Sequence, residues 1–116
     1  WVLQKVRDAV AEKGPGATIS CFGLAFKPDI DDLRESPATE IAARLADEFP
    51  GQVTVVEPFI KELPKKLADK TRLVQMRDAV TADICLMLVD HTQFRNSPPP
   101  SREGQVIIDT RGVWLK

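Results

Sequence analysis

The sequence predicts an α/β fold, a three-layer domain with a mostly parallel sheet between helices. Two observations carry this expectation. Short apolar runs alternate with stretches of helical periodicity, and the runs are continuous instead of alternating apolar with polar. Strands buried on both faces read as such runs, and helical crossovers join parallel neighbours. Sheets of this kind bind ligands beyond the carboxyl ends of their strands. That rule singles out the chain from Gly23 onward, Glu57, the pair Asp90 and His91, and residues 109–111.

The elements follow in order. Residues 2–13 repeat valine at 2, 6 and 10, with Leu3 and Ala9 alongside, the spacing of a helix. Gly14, Pro15 and Gly16 end it. This helix is either complete or the tail of a longer one, and its apolar stripe is covered by this domain or by other sequence. Left uncovered, Val2, Val6 and Val10 would promote association. Residues 17–22 form a buried strand. Ser36 suits a helix N-cap and Pro37 a first helical position. The helix they open carries Ala38, Ile41, Ala42, Leu45 and Phe49 on its inner side, and Pro50 and Gly51 stop it. Val53–Val56 is a second buried strand, closed by Glu57 and Pro58. Residues 59–67 hold a weak helix or turn interrupted by Pro64. Residues 72–74 suit a short strand, 76–82 a short helix with Val80 inward, and 84–89 a strongly apolar strand. A proline-rich loop covers 96–101, and residues 106–108 form the last strand.

The 116 residues suit one core, with 43% hydrophobic content. A formal net charge of −1 gives no electrostatic footprint for nucleic acid. No apolar run approaches the roughly 20 residues of a membrane span, and no signal peptide is visible. The chain starts at Trp1, not Met, which suits a longer parent. Cys21 and Cys85 lie inside apolar runs without zinc-ligand spacing, so both are expected to be inert core thiols. Such cysteines agree with a reducing, cytoplasmic setting.

The segment 23–35 is long for a strand-to-helix connection, where roughly 2–6 residues are usual. It reads G-L-A-F-K-P-D-I-D-D-L-R-E and runs into Ser36 and Pro37. Gly23 permits close backbone approach. Lys27 offers a mobile cation, and Phe26 a flat apolar wall beside a sugar or base. Arg34 stands by a helix start, where free N–H groups and the helix dipole favour an anion. The alternative is a solvated loop. No G-x-G-x-x-G turn precedes the helix, so the dinucleotide fingerprint is absent. Asp29, Asp31 and Asp32 are either a divalent-metal cluster or, as preferred here, carboxylates that balance Lys27 and Arg34. No further ligand set with recognisable spacing appears, so no metal site is assigned.

Glu57 stands where a dinucleotide fold places its ribose-binding acid. Without the glycine fingerprint, a solvated strand end is the preferred reading. His91 is the only histidine. It is either a general base or a structural or capping residue, and the second is preferred because no partner is identifiable. Arg111 follows the last strand and either reaches over the same sheet edge as Lys27 or lies on the surface.

The run G-L-A-F-K-P-D-I-D-D-L-R-E-S-P over 23–37 closely resembles the signature of the UDP-glucose/GDP-mannose dehydrogenase family, in its C-terminal domain. Further matches are V-V-E-P at 55–58, L-P-K-K-L at 63–67, L-V-D-H-T-Q-F at 88–94 and I-D-T-R-G-V-W at 108–114. Together they cover nearly the whole chain. Within the family they are most similar to the branch that oxidises UDP-N-acetyl-D-mannosamine for bacterial surface polysaccharides. The resemblance implies a Rossmann-like domain over 15–116, preceded over 1–14 by the end of a long central helix. It implies a parent with an N-terminal NAD-binding domain and a central helical region, homo-oligomeric at full length. In that family a cysteine forms a thiohemiacetal and then a thioester while a sugar C6 alcohol is oxidised in two NAD-dependent steps.

The family's reactive cysteine belongs to a glycine-rich motif that Cys21 and Cys85 do not match. The resemblance therefore implies an inactive piece of an enzyme, with no catalytic residue of its own. Residue by residue, Phe26 and Lys27 match the pair that contacts the nucleotide sugar. Arg111 matches a basic substrate-binding position, and Arg34 matches an arginine that reaches the NAD phosphates. The implied partners are a UDP-sugar and the other domains of the parent, with neither nucleic acid nor membrane. Two alternatives stay open: a non-catalytic nucleotide-binding module, and a family dehydrogenase acting on UDP-glucose, UDP-N-acetylglucosamine or GDP-mannose. A structural domain whose loop only packs against a partner is the third reading.

Overall fold

The structure, a computed structural model, describes residues 2–34, 36–96, 99 and 104–111. Trp1, Glu35, most of the proline-rich 96–101 segment and the 112–114 part of the last family match lie outside the described residues. The elements in chain order are α1 (Val2–Lys13), β1 (Ile19–Phe22), α2 (Pro37–Glu48), β2 (Val53–Val56), α3 (Lys65–Ala68), β3 (Arg72–Leu73), α4 (Met76–Ala79), β4 (Ile84–Met87), α5 (Thr92–Arg95) and β5 (Val106–Asp109). The sheet has five strands in the order β3-β2-β1-β4-β5, and all its pairings are parallel. The expectation of a mostly parallel sheet is met in full.

Strand alternation sorts the core into two faces. Ile19, Cys21, Val53, Val55, Ile84 and Leu86 point to one side, where they pack with Val6 and Ala9 of α1 and Ala42 and Leu45 of α2. Phe22, Val56, Cys85 and Met87 point to the other, beside Ala79 of α4 and Phe94 of α5. Such double burial requires apolar residues at consecutive positions, which is why the strands lack a period of two. The polar interruptions are paired across the β1–β2 ladder, with the Ser20 and Thr54 hydroxyls 2.8 Å apart. A fully buried Phe or Leu contributes about 1.5–3 kcal/mol relative to exposure, so Phe22, Phe94 and Leu45 anchor their layers.

Helix α1 settles the question of its stripe. Val6 is fully buried, and Val2 and Val10 pack against the same core. This domain covers it, so the exposed valine stripe is not present. Helix α2 starts as its sequence predicts. Ser36 is the N-cap, its Oγ facing the Thr39 amide, and Pro37 occupies the first turn. Phe49 caps the carboxyl end and is half-buried against the core. Helix α4 is shorter than the expected 76–82. Its inward residue is Ala79, while Val80 lies past its end and is only half-buried. Helix α5 is absent from the sequence reading. Its single turn has no side-chain cap, and burial of Phe94 holds it down. Among the described residues no helix is long and apolar enough to cross a membrane.

Candidate functional site

In this strand order the chain departs from β1 toward one edge and from β4 toward the other. The crevice between their carboxyl ends is the topological switch point where such folds bind ligands. Gly23 makes that crevice narrow. Its φ is +97°, and a Cβ on it would lie 2.5 Å from the Val89 Cβ and 2.9 Å from the Val89 backbone N and O. The chains leaving β1 and β4 therefore touch, and only glycine fits both the space and the conformation.

The next two residues are tied on both sides. The amides of Leu24 and Ala25 donate to Glu57 Oε1 at 2.9 and 3.0 Å. Their carbonyls accept from Thr39 Oγ1 at 2.8 Å and Ser36 Oγ at 3.1 Å. Phe26 N–H then donates to the Asp32 carbonyl at 2.8 Å. Further along, the Asp29 amide donates to His91 Nδ1 at 2.7 Å. The Asp29 carboxylate accepts from the Thr92 amide and hydroxyl at 2.8 and 2.6 Å, docking the loop onto the first turn of α5. Asp29 adopts a φ of +62° to do so, a conformation aspartate tolerates better than most residues. The Thr92 hydroxyl and amide bonds hold its carboxyl below the usual carboxylate range.

Glu57 and His91 lie beneath this loop. Glu57 is 2% exposed and His91 is fully buried. Glu57 Oε2 also accepts from the Phe59 amide at 3.3 Å, and the His91 Nε2 stands 2.9 Å from the carboxylate. Because Nδ1 accepts the Asp29 amide, Nε2 must carry the proton and donate to Glu57. The imidazole is held between the rings of Phe59 and Phe94, with centroids 4.8 and 5.3 Å away. The solvated strand end expected at Glu57 is thus corrected. Burial of a carboxylate is tolerable where several donors converge on it, and all but the Phe59 amide come from distant segments that sequence reading does not bring together. His91 fills the N-cap position of α5 without a side-chain cap bond, and its ring serves the loop instead.

The residues singled out for binding divide into two places. Phe26, 48% exposed, and Arg111 share a cavity of about 280 Å³ on the α1–α2 side of the switch point, lined also by Ala25, Pro37, Ile41 and Val89. The Arg111 Nε donates to the Leu88 carbonyl at 3.2 Å, which fixes its stem across the end of β4. Lys27 is exposed on the adjoining loop and does not line that cavity. Arg34 is elsewhere. Its side chain is 89% exposed, and it forks onto Asp32 at 3.0 and 3.1 Å. Those bonds raise the arginine pKa and lower that of Asp32. Of the expected charge balance in the loop, the Asp32–Arg34 pair is present, whereas Asp29 serves Thr92. A larger cavity, about 470 Å³, lies past β2 and β3 beside Glu57, Leu73, Met76 and Arg77, and Phe26, Lys27, Arg34 and Arg111 do not line it. Cys21 and Cys85 are buried free thiols, and burial pushes Cys21 up to about 12.

The chain is similar to proteins of one family. The model of the UDP-glucose/GDP-mannose dehydrogenase family, UDP binding domain, matches residues 20–116. The UDP-N-acetyl-D-mannosamine dehydrogenase of Escherichia coli (strain K12) is 47% identical over 98% of this chain and 29% of its own length. The NDP-N-acetyl-D-galactosaminuronic acid dehydrogenase of Ralstonia nicotianae is 46% identical, over 98% of this chain and 27% of its own. A UDP-glucose dehydrogenase structure from the hyperthermophilic archaeon Pyrobaculum islandicum superposes with a TM-score of 0.76 at 28% identity, covering 97% of this chain and 26% of that one. The chain therefore spans under a third of the length of these relatives. It belongs to the UDP-glucose/GDP-mannose dehydrogenase family and corresponds to that family's UDP binding domain.

Proposed function

We propose that this chain is the nucleotide-sugar-binding domain of an NAD-dependent UDP-sugar 6-dehydrogenase, with UDP-N-acetyl-D-mannosamine as substrate and the uronate as product. The observation that carries the reading is the cavity at the switch point, where Phe26 and Arg111 meet. Phe26 would lie against the sugar or base, and Lys27 and Arg111 would hold the diphosphate. A volume of about 280 Å³ is small for a whole ligand, since pockets usually run to roughly 300–1,000 Å³. That suits a site completed by another part of a longer protein, with residues 1–14 as the end of its central helix.

NAD, when bound, takes up the hydride of each oxidation. Among the described residues, the turn after Gly23 offers it no seat. The amides after Gly23, which in a dinucleotide fold would face a pyrophosphate, are occupied by the Glu57 carboxylate. Arg34 is exposed enough to meet cofactor phosphates held by a neighbouring domain. The preference for UDP-N-acetyl-D-mannosamine rests on the named relative from Escherichia coli. The implied role is surface-polysaccharide synthesis in the bacterial cytoplasm, by an enzyme that is homo-oligomeric at full length.

The test is a titration of UDP into the ¹⁵N-labelled chain. Amide shifts should move at Ala25, Phe26, Lys27 and Arg111, and Lys27→Ala should weaken binding. Unmoved shifts across residues 23–34 would remove the assignment.

A further inference from the structure

The structure assigns Glu57 and His91, with Asp29, as positioning residues that hold Phe26 and Lys27 in place without touching the ligand themselves. The inference rests on the proposed role of that pair in nucleotide binding. The loop is gripped on either side of the pair, and between the grips its backbone is tied at Phe26, whose N–H donates to the Asp32 carbonyl. Before it, Leu24 and Ala25 give both amides to Glu57 and both carbonyls to α2. After it, Asp29 gives its amide to His91 and takes two bonds from Thr92. The two grips are coupled, because His91 Nε2 and the two loop amides converge on the same Glu57 oxygen. A buried carboxylate holding backbone N–H groups acts as an internal anion. It fixes the loop before any phosphate arrives, so binding need not supply that ordering.

Neutral glutamine at 57 has the shape but only one accepting oxygen. Its NH₂ would face either the Phe59 amide or the His91 Nε2–H and the loop amides, donor against donor. Glu57→Gln should therefore loosen the loop while β1 and β4 stay paired. The measurement is the ¹H–¹⁵N heteronuclear NOE at Phe26 and Lys27 in the 116-residue chain, followed by a UDP titration. The NOE values of both residues should fall in Glu57→Gln, with those of Ile19–Phe22 unchanged. UDP affinity should drop by about tenfold, the scale expected for losing one charged hydrogen bond's worth of order. Unchanged NOE values at Phe26 and Lys27 in the folded variant would overturn the assignment, as would unchanged UDP affinity beside a loosened loop.

Should Glu57→Gln not fold, Asp29→Ala takes its place, since Asp29 is solvent-exposed and its loss spares the core. It should loosen Lys27 and weaken UDP, and Asp29→Asn, which can still accept the Thr92 amide, should restore much of both. Wild-type order and affinity in Asp29→Ala would refute the outer grip. A wild-type chain that ignores UDP would sink the nucleotide reading alone, because the NOE comparison decides the positioning role without any ligand.

Discussion

Glu57 and His91 share a 2.9 Å hydrogen bond at the carboxyl edge of the sheet, and solvent reaches neither side chain. The bond has a direction. Asp29 N–H points at His91 Nδ1, so Nδ1 is an acceptor and the imidazole is neutral with its proton on Nε2. Long-range ¹H–¹⁵N correlation should show Nδ1 at the shift of an unprotonated nitrogen and Nε2 at that of a protonated one, at neutral pH. A protonated Nδ1 would contradict the network, because two N–H groups cannot donate to each other.

The Asp29 carboxyl supplies a pH dependence with a definite sign. Its folded-state pKa is depressed by the Thr92 hydroxyl and amide. The contribution is therefore fully present above the unfolded pKa and is lost as pH falls through the lower, folded value. The Thr92 amide shift should titrate with a midpoint below the usual aspartate range. Titration at or above that range would show that the loop is not docked on α5. Asp29 is exposed, so the global unfolding midpoint should move little in the same window.

Gly23 is the backbone contact on which the crevice depends. Gly23→Ala places a Cβ 2.5 Å from that of Val89 and keeps a φ of +97°. The left-handed conformation costs an L-residue about 1–2 kcal/mol and forced overpacking about 1–3 kcal/mol. Together they give a loss of roughly 2–5 kcal/mol, to be read by urea denaturation. A loss under about 1 kcal/mol would mean that β1 and β4 can part without penalty. Gly51, also at positive φ but with open space around its Cβ position, should lose less on the same substitution.

What could be read from sequence followed how local its cause is. Ser36 and Pro37 announce α2 because capping is settled within one turn. The strands announce themselves because burial on both faces leaves continuous apolar runs. Glu57 gave no such signal. Its partners Leu24, Ala25 and His91 lie 32 to 34 residues away and become neighbours only through the order of parallel strands. Helix α5 was hidden for a similar reason, since four residues without a cap show no period, and its amide partner is Asp29 of another segment. Phe26 and Arg111 were each legible as candidates, and their shared cavity needed β1, β4 and β5 side by side.

Arg111 is held by its Nε to the Leu88 carbonyl, which directs the guanidinium along the cavity rim shared with Phe26. If it meets the diphosphate there, Arg111→Ala should weaken UDP by roughly tenfold or more, the usual effect of removing a charged hydrogen-bond partner. Arg111→Lys should recover only part, because lysine keeps the charge and loses the planar fork. Uridine, which lacks the phosphates, should bind all three proteins alike. A wild-type preference for UDP over uridine that survives Arg111→Ala unchanged would move the phosphate site to Lys27 alone.

The cysteines set a last expectation about chemistry. A thiol reacts as its thiolate, and burial pushes Cys21 up to about 12 while Cys85 is enclosed beneath α4. Neither can serve as the nucleophile of a C6 oxidation. The Glu57 carboxylate also fills the amide pair that a dinucleotide would need. The purified chain should therefore make no NADH from a UDP-sugar, and its thiols should react with a disulfide reagent only on unfolding. Rapid labelling of either cysteine in the native chain, or NADH formed above the level of a sample lacking both thiols, would show that a reactive centre exists within these residues after all.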